Sequence, residues 1–68
     1  MKVFILKAGP HYEAATTTRV FTEKSRAIEE GLKMEPPLGL GSWRAHDKIS
    51  DYWENDMSWM QIDEKELE

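Results

Sequence analysis

"TTTRVFTEKSRAIEEGLKM", Thr16–Met34, changes its hydrophobic period halfway along, and that change decides the fold. Residues 16–22, "TTTRVFT", are β-branched and aromatic, which suits a pleated, half-buried surface and predicts a strand. Thr22 stands where an N-cap is wanted: its hydroxyl can accept from the amides of a first helical turn, and Glu23 sits where the helix dipole favours an acid. From there "EKSRAIEEGLKM" repeats at helical spacing. Ala27, Ile28, Gly31 and Leu32 share one face, while Lys24, Arg26, Glu29, Glu30 and Lys33 look outward. Gly31 has two readings: it lets the helix approach a sheet closely, or it is the left-handed residue that ends the helix with Leu32 folding back. "EPP" (Glu35–Pro37) stops any continuation, and residues 35–42, "EPPLGLGS", are a loop by composition.

Upstream, "KVFILK" (Lys2–Lys7) is a short apolar run, with Val3 and Ile5 toward one face and Phe4 and Leu6 toward the other. Apolar residues on both faces predict a central strand covered on both sides. "AGPH" (Ala8–His11) ends it with Gly-Pro punctuation. Downstream, Ile49, Tyr52 and Trp53 sit at i, i+3, i+4, the spacing of a short helix from Asp47. The same segment also alternates, and "END" (Glu54–Asp56) is an alternative hairpin turn. "WMQID" (Trp59–Asp63) is the last expected strand, with Met60 and Ile62 on one face and Trp59 and Gln61 on the other. "EKELE" is a charged tail expected to fray.

The order β-β-α-irregular-β predicts one small α+β domain over residues 1–68: a mainly antiparallel sheet of about three or four strands with one helix packed on a face. Val3, Ile5, Val20, Ile28, Leu32 and Ile62 are the expected sheet–helix core. Phe4, Leu6 and Trp59, with Trp43 or Trp53, are the residues available to cover the other face.

The opening "MKVFIL" and the later "RVFTEKSRAIEEGLK" resemble short bacterial and phage-encoded proteins of unknown function. Those chains begin Met-Lys-Val-(Tyr or Phe)-apolar-Leu and run strand, Ser/Thr cap, helix and an acidic final strand, for which "MQIDEKELE" stands here. The likeness spans roughly half of the chain, and "GSWRAHDKISDYWEND" lies outside it. Its motifs are structural, so it carries over no functional residue. It implies a small accessory protein of phage or mobile-element origin.

A chain of 68 residues buries only about 60% of the surface its unfolded form exposes, so its core is marginal. It has no Cys, which removes disulfides and thiolate metal sites as remedies and fits a reducing compartment. Self-association is the remaining easy route to burial, and a homodimer is expected over a monomer. No apolar run is long enough for a signal or membrane-spanning segment, so the chain reads as soluble and cytoplasmic. A net charge of −4 argues against direct nucleic-acid binding. That charge is uneven. Residues 1–34 carry six Lys/Arg against four Glu, whereas residues 35–68, which hold all three Trp, carry three Lys/Arg against nine Asp/Glu.

Catalytic and metal chemistry finds little support. His11 with Glu13, and His46 with Asp47, are too few ligands for a metal, which needs three or four at defined geometry. No nucleophile-elbow pattern surrounds a Ser, and "GLGSWR" (Gly39–Arg44) lacks the further Gly or Lys-Ser/Thr of a phosphate cradle. A non-enzymatic role is expected, with no cofactor and no metal.

The remaining signal is "SDYWENDMSW" (Ser50–Trp59), where aromatic residues lie among acids. The plain reading makes each Trp a bulky core residue with acids on the solvent side. Three Trp exceed what this core needs, which leaves at least one for an interface, where aromatics and Met are enriched. The expected function is therefore a protein-binding accessory role: docking on a partner with a basic surface and inhibiting or modulating it. Asp51, Tyr52, Trp53, Glu54, Asp56 and Trp59 are the binding residues, and carboxylates standing in for phosphates are its sharpest form. Tyr52 and Trp53 are the expected docking anchors and Trp59 the expected core or dimer residue. The alternative is a self-associating structural module with Trp59 in a two-fold interface.

Overall fold

The computed structural model describes residues 1–11, 13–34 and 42–67. Two long strands, β1 (Lys2–Pro10) and β5 (Ser58–Glu66), form its centre, paired antiparallel from Lys2↔Glu66 to Pro10↔Ser58. β2 (Thr17–Phe21) pairs with β1 on one side. β4 (Tyr52–Glu54) pairs with β5 on the other and carries β3 (Arg44–Ala45) outside it. The sheet is antiparallel throughout, in the order β2-β1-β5-β4-β3, with one helix, α1 (Lys24–Lys33), between β2 and β3 in the chain. The α+β class is as expected, with five strands rather than three or four. The added strand is β3, whose two residues lack a hydrophobic pattern of their own. The loop expected over residues 35–42 lies outside the described residues except for Ser42.

Directly opposed residues of neighbouring strands point to the same side of a sheet. The pairs Leu6↔Ile62, Ala8↔Met60, Phe4↔Phe21 and Trp53↔Met60 therefore define one face. Ile5↔Asp63, Lys7↔Gln61, Ile5↔Val20 and Tyr52↔Gln61 define the other. A Cβ added at Gly31 would lie 2.7 Å from Met60 Sδ and 3.1 Å from Leu6 Cδ1, which places α1 on the Leu6 face. Leu6, Ala8, Ala27, Met60 and Ile62 form the buried cluster there, with Phe4, Phe21, Ile28, Met34, Trp43 and Trp53 packed around it.

For β1 and β2 the faces are thus the reverse of the sequence expectation, whereas Ile28 and Ile62 lie on the helix side and Trp59 on the other face, as expected. Phe4 and Leu6 meet the helix; Val3, Ile5 and Val20 do not. The reason lies along the strands. On the Leu6 side the apolar patch continues through Ala8, Met60 and Ile62. On the Ile5 side it runs into Lys7, Gln61 and Asp63, which a helix would have to desolvate. Val3 is buried too, on the side away from this cluster.

α1 starts one residue later than expected. Glu23, extended at φ −127° and ψ 130°, is the N-cap and makes no side-chain cap hydrogen bond, so Thr22 does not cap. Ala27 and Gly31, one turn apart, form the line of closest approach. Of the two readings of Gly31, close approach is the one observed. Leu32 follows about 100° further round the helix and stands 48% exposed instead of in the core. The Glu29–Lys33 pair at 3.1 Å supports the outer face, and Trp43 Nε1 donates to Met34 O at 3.1 Å beyond the helix end.

No helix starts at Asp47. The alternating reading is the observed one, with Glu54 inside β4 and the turn at Asn55–Met57 rather than Glu54–Asp56. Asn55 is buried and its Oδ1 accepts from the amides of Met57 (2.9 Å) and Ser58 (2.7 Å), while its own N–H donates to Ser58 O. That side chain builds the turn. Of "EKELE", residues 64–67 are not frayed: β5 continues to Glu66, and the Leu67 N–H donates to Met1 O at 2.7 Å; Glu68 lies outside the described residues.

Candidate functional site

The face opposite α1 is covered by no helix or strand among the described residues. Strand alternation places Tyr52 and Glu54 of β4 there, together with Trp59, Gln61 and Asp63 of β5 and Ile5, Lys7 and Val20 of the other strands. Tyr52 and Trp59 are diagonal neighbours across the β4–β5 ladder, since Tyr52 opposes Gln61 and Trp59 opposes Glu54. Between them lies a shallow depression of about 310 Å³ lined by His11, Tyr52, Trp59 and Gln61.

Each aromatic is held from behind. Trp59 Nε1 donates to Pro10 O at 2.9 Å, with Glu13 O at 3.4 Å, which fixes the indole edge against the end of β1. Tyr52 meets His46 edge-on, with ring centroids 5.7 Å apart and planes at 85°. His46 is anchored in turn: its Nδ1 accepts from the amides of Lys48 (3.1 Å) and Ile49 (3.2 Å), so Nε2 carries the proton. His11 donates from Nε2 to Asn55 O at 3.0 Å, tying the rim of the depression to the β4–β5 turn. The rings are fixed before any ligand arrives, which lowers the entropy cost of using them.

The electrostatics are more balanced than the sequence suggested. Lys7 Nζ lies 3.0 Å from Asp63, whose other oxygen accepts from Gln61 Nε2 at 2.9 Å. Asp56 pairs with Arg44 at 3.1 Å at the turn. The Glu54 carboxylate makes no hydrogen bond or ion pair among the described residues and stands close enough to act on Tyr52. Burial first, and Glu54 second, push the Tyr52 hydroxyl above its ordinary value of 10.0.

Of the six residues singled out in the sequence, the structure brings Tyr52, Glu54 and Trp59 together on this face. Trp53 points the other way and packs against the helix-side cluster with Trp43. Asp51 also turns toward the helix, where its carboxylate lies 2.9 Å from Lys24 Nζ; the hydrogen bond and charge of that pair raise the Lys24 pKa. Asp56 sits at the exposed turn. Trp53, expected at the surface, therefore lies on the helix side and Trp59 on the uncovered face, since a three-residue strand presents only its middle side chain to the helix side. His11, His46 and Gln61 were not singled out as part of this site. Their only signal was polarity next to aromatic residues.

Among the described residues no group of three His, Cys, Asp or Glu is placed to hold a metal ion, and no helix is long and apolar enough to cross a membrane. Compared with known proteins, the chain matches no family model, no curated protein and no solved structure.

Proposed function

We propose that this chain is a non-catalytic accessory protein that binds another protein through the uncovered sheet face, with Tyr52 and Trp59 as anchors, and modulates that partner. The observation that carries the reading is the pair of pre-positioned aromatic rings flanking an open depression on a face without a covering element. Aromatic side chains seated at the centre of a patch supply most of the energy of protein interfaces, and the surrounding polar groups exclude water. Glu54, whose carboxylate has no ion-pair partner among the described residues, adds negative charge at this site, which suits a partner with basic residues at its rim. Asp51 and Asp56 are already occupied by Lys24 and Arg44, so phosphate mimicry draws little support from them.

The test is affinity capture from a bacterial lysate with the parent chain and with Tyr52→Ala, Gln61→Arg and, as a control on the other face, Glu30→Gln. Specific partners retained by the parent and by Glu30→Gln, and lost by both face variants, support the reading. A partner list unchanged by Tyr52→Ala and Gln61→Arg sinks it.

A further inference from the structure

We infer that the depression between Tyr52 and Trp59 receives an arginine side chain of the partner, its guanidinium stacked on the aromatic rings and its N–H groups donated to Glu54 and Gln61. This names the anchor of the docking proposed above and rests on that reading.

The site is one square of the β4–β5 ladder. Tyr52 opposes Gln61 and Glu54 opposes Trp59, so the aromatic rings occupy one diagonal and two oxygen-bearing side chains the other. All four side chains point to the uncovered face, with opposed residues about 5 Å apart and diagonal ones about 7–8 Å apart. One planar group at the centre reaches every corner. Tyr52, Trp59 and Gln61 line the depression with His11, and Glu54 completes the square. A volume of about 310 Å³ suits a single side chain and not a helix.

The groups left over at this square are acceptors. Trp59 Nε1 already donates to Pro10 O, so the indole offers its ring face. Gln61 Nε2 already donates to Asp63 at 2.9 Å, and its Oε1 accepts no hydrogen bond among the described residues. The Glu54 carboxylate is likewise unpaired there, and its charge reaches the Tyr52 hydroxyl. Ring faces carry the negative part of the aromatic quadrupole, so rings and oxygens ask for the same thing: a cation with several donors.

The cations already present do not fill that place. Lys7, which opposes Gln61, lies 3.0 Å from Asp63. Arg44, which opposes Glu54 from β3, lies 3.1 Å from Asp56. Lys65 opposes Val3, toward the far end of β5. Of the two acids that β4 and β5 place on this face, Asp63 therefore has a partner and Glu54 has none among the described residues.

Other occupants fit less well. An apolar side chain would strip water from Glu54 and Gln61 Oε1 and replace it with nothing. An anion would meet a carboxylate and two ring faces. A lysine ammonium is a compact, strongly hydrated point charge, whereas the acceptors stand at opposite corners. The flat, weakly hydrated guanidinium stacks on a ring and directs its N–H groups outward in its own plane toward both.

The experiment titrates N-acetyl-arginine methylamide into the isotopically labelled chain at constant ionic strength, followed by amide and indole N–H resonances. The lysine and citrulline counterparts are controls; citrulline keeps the shape of arginine and lacks its charge. Saturable shifts centred on Tyr52, Glu54, Trp59 and Gln61 are expected, with a Kd on the order of 10 mM for a lone side chain. The lysine compound binds more weakly and the citrulline compound does not saturate. Glu54→Gln, shown by circular dichroism to be folded, raises the arginine Kd about threefold to tenfold. Gln61→Arg, which supplies a guanidinium from the chain itself, blocks the probe. The inference is overturned by shifts that citrulline reproduces, by a Kd that ignores Glu54→Gln, or by no saturable shift up to about 50 mM. Partners lost by Tyr52→Ala and Gln61→Arg but fully retained by Glu54→Gln would also overturn it while leaving the docking reading in place. A capture list that none of the face variants changes refutes the docking reading itself.

Discussion

Gly31→Ala tests the packing of the helix on the sheet, because two effects of known size oppose one another there. In an isolated helix the change would stabilise by about 0.8–1.0 kcal/mol, the difference in helix propensity. Here the new methyl would come to 2.7 Å from Met60 Sδ and 3.1 Å from Leu6 Cδ1, and both residues are fully buried. Overpacking of this kind costs about 1–3 kcal/mol, with the lower end favoured because a Met side chain adapts readily. The expected net is a loss of about 0–2 kcal/mol, in the lower half of that range. Urea unfolding followed by circular dichroism reads this directly: with a slope near 1 kcal/mol/M for so small a chain, the midpoint should stay level or fall by up to about 1 M instead of rising. Met60→Ala alone should cost about 2–5 kcal/mol, and combining it with Gly31→Ala should cost less than the sum, since the new methyl occupies part of the vacated space. A Gly31→Ala midpoint that rises by the full propensity gain, or a strictly additive double variant, would refute the close contact.

Three further outcomes are expected. Asn55→Ala should destabilise by about 1–3 kcal/mol in the same urea assay, because the Met57 and Ser58 amides lose their acceptor, whereas Asn55→Asp keeps that acceptor and should lose less. Gly9→Ala brings a Cβ to 2.7 Å from the Ala14 backbone carbonyl, which cannot swing aside as a side chain can. It should cost about 1–3 kcal/mol and shift the Trp59 indole N–H resonance, whose acceptor is the adjacent Pro10. Tyr52 favours its neutral form in the folded state, so its contribution is complete below about pH 10 and is lost as the pH rises above that. Urea midpoints at about pH 8 and about pH 11 should therefore differ less for Tyr52→Phe than for the parent.

Local patterns in the sequence told true where the deciding interactions were local. The strand at "KVFILK", the strand-to-helix change across Thr22–Lys24 and the alternation of "WMQID" all depend on neighbours within a few positions. What was not legible depended on which distant residue stands opposite. Alternation says that Phe4 and Leu6 share a face, but only pairing with Met60 and Ile62 makes that face the one a helix can cover. Trp53 and Trp59 look equivalent in composition, and they part because β4 and β5 oppose Trp53 to Met60 and Glu54 to Trp59. The acidic excess of the C-terminal half likewise predicts a charged docking surface. Lys24, Arg44 and Lys7, each brought in from elsewhere in the chain, answer Asp51, Asp56 and Asp63.

The central ladder joins Pro10 to Ser58 at its near end and Lys2 to Glu66 at its far end, so its closest partners are 48 positions apart and its most distant 64. Contacts so remote in the chain form late and slowly compared with those of helical proteins of similar size. Until the segment 58–66 is available, the inner edge of β1 is as open as the outer edge of β2. A chain emerging from the ribosome therefore holds one edge of its most apolar strand unpaired until β5 has been made. Synthesis order, and not only composition, then governs how long this protein is exposed to wrong pairings.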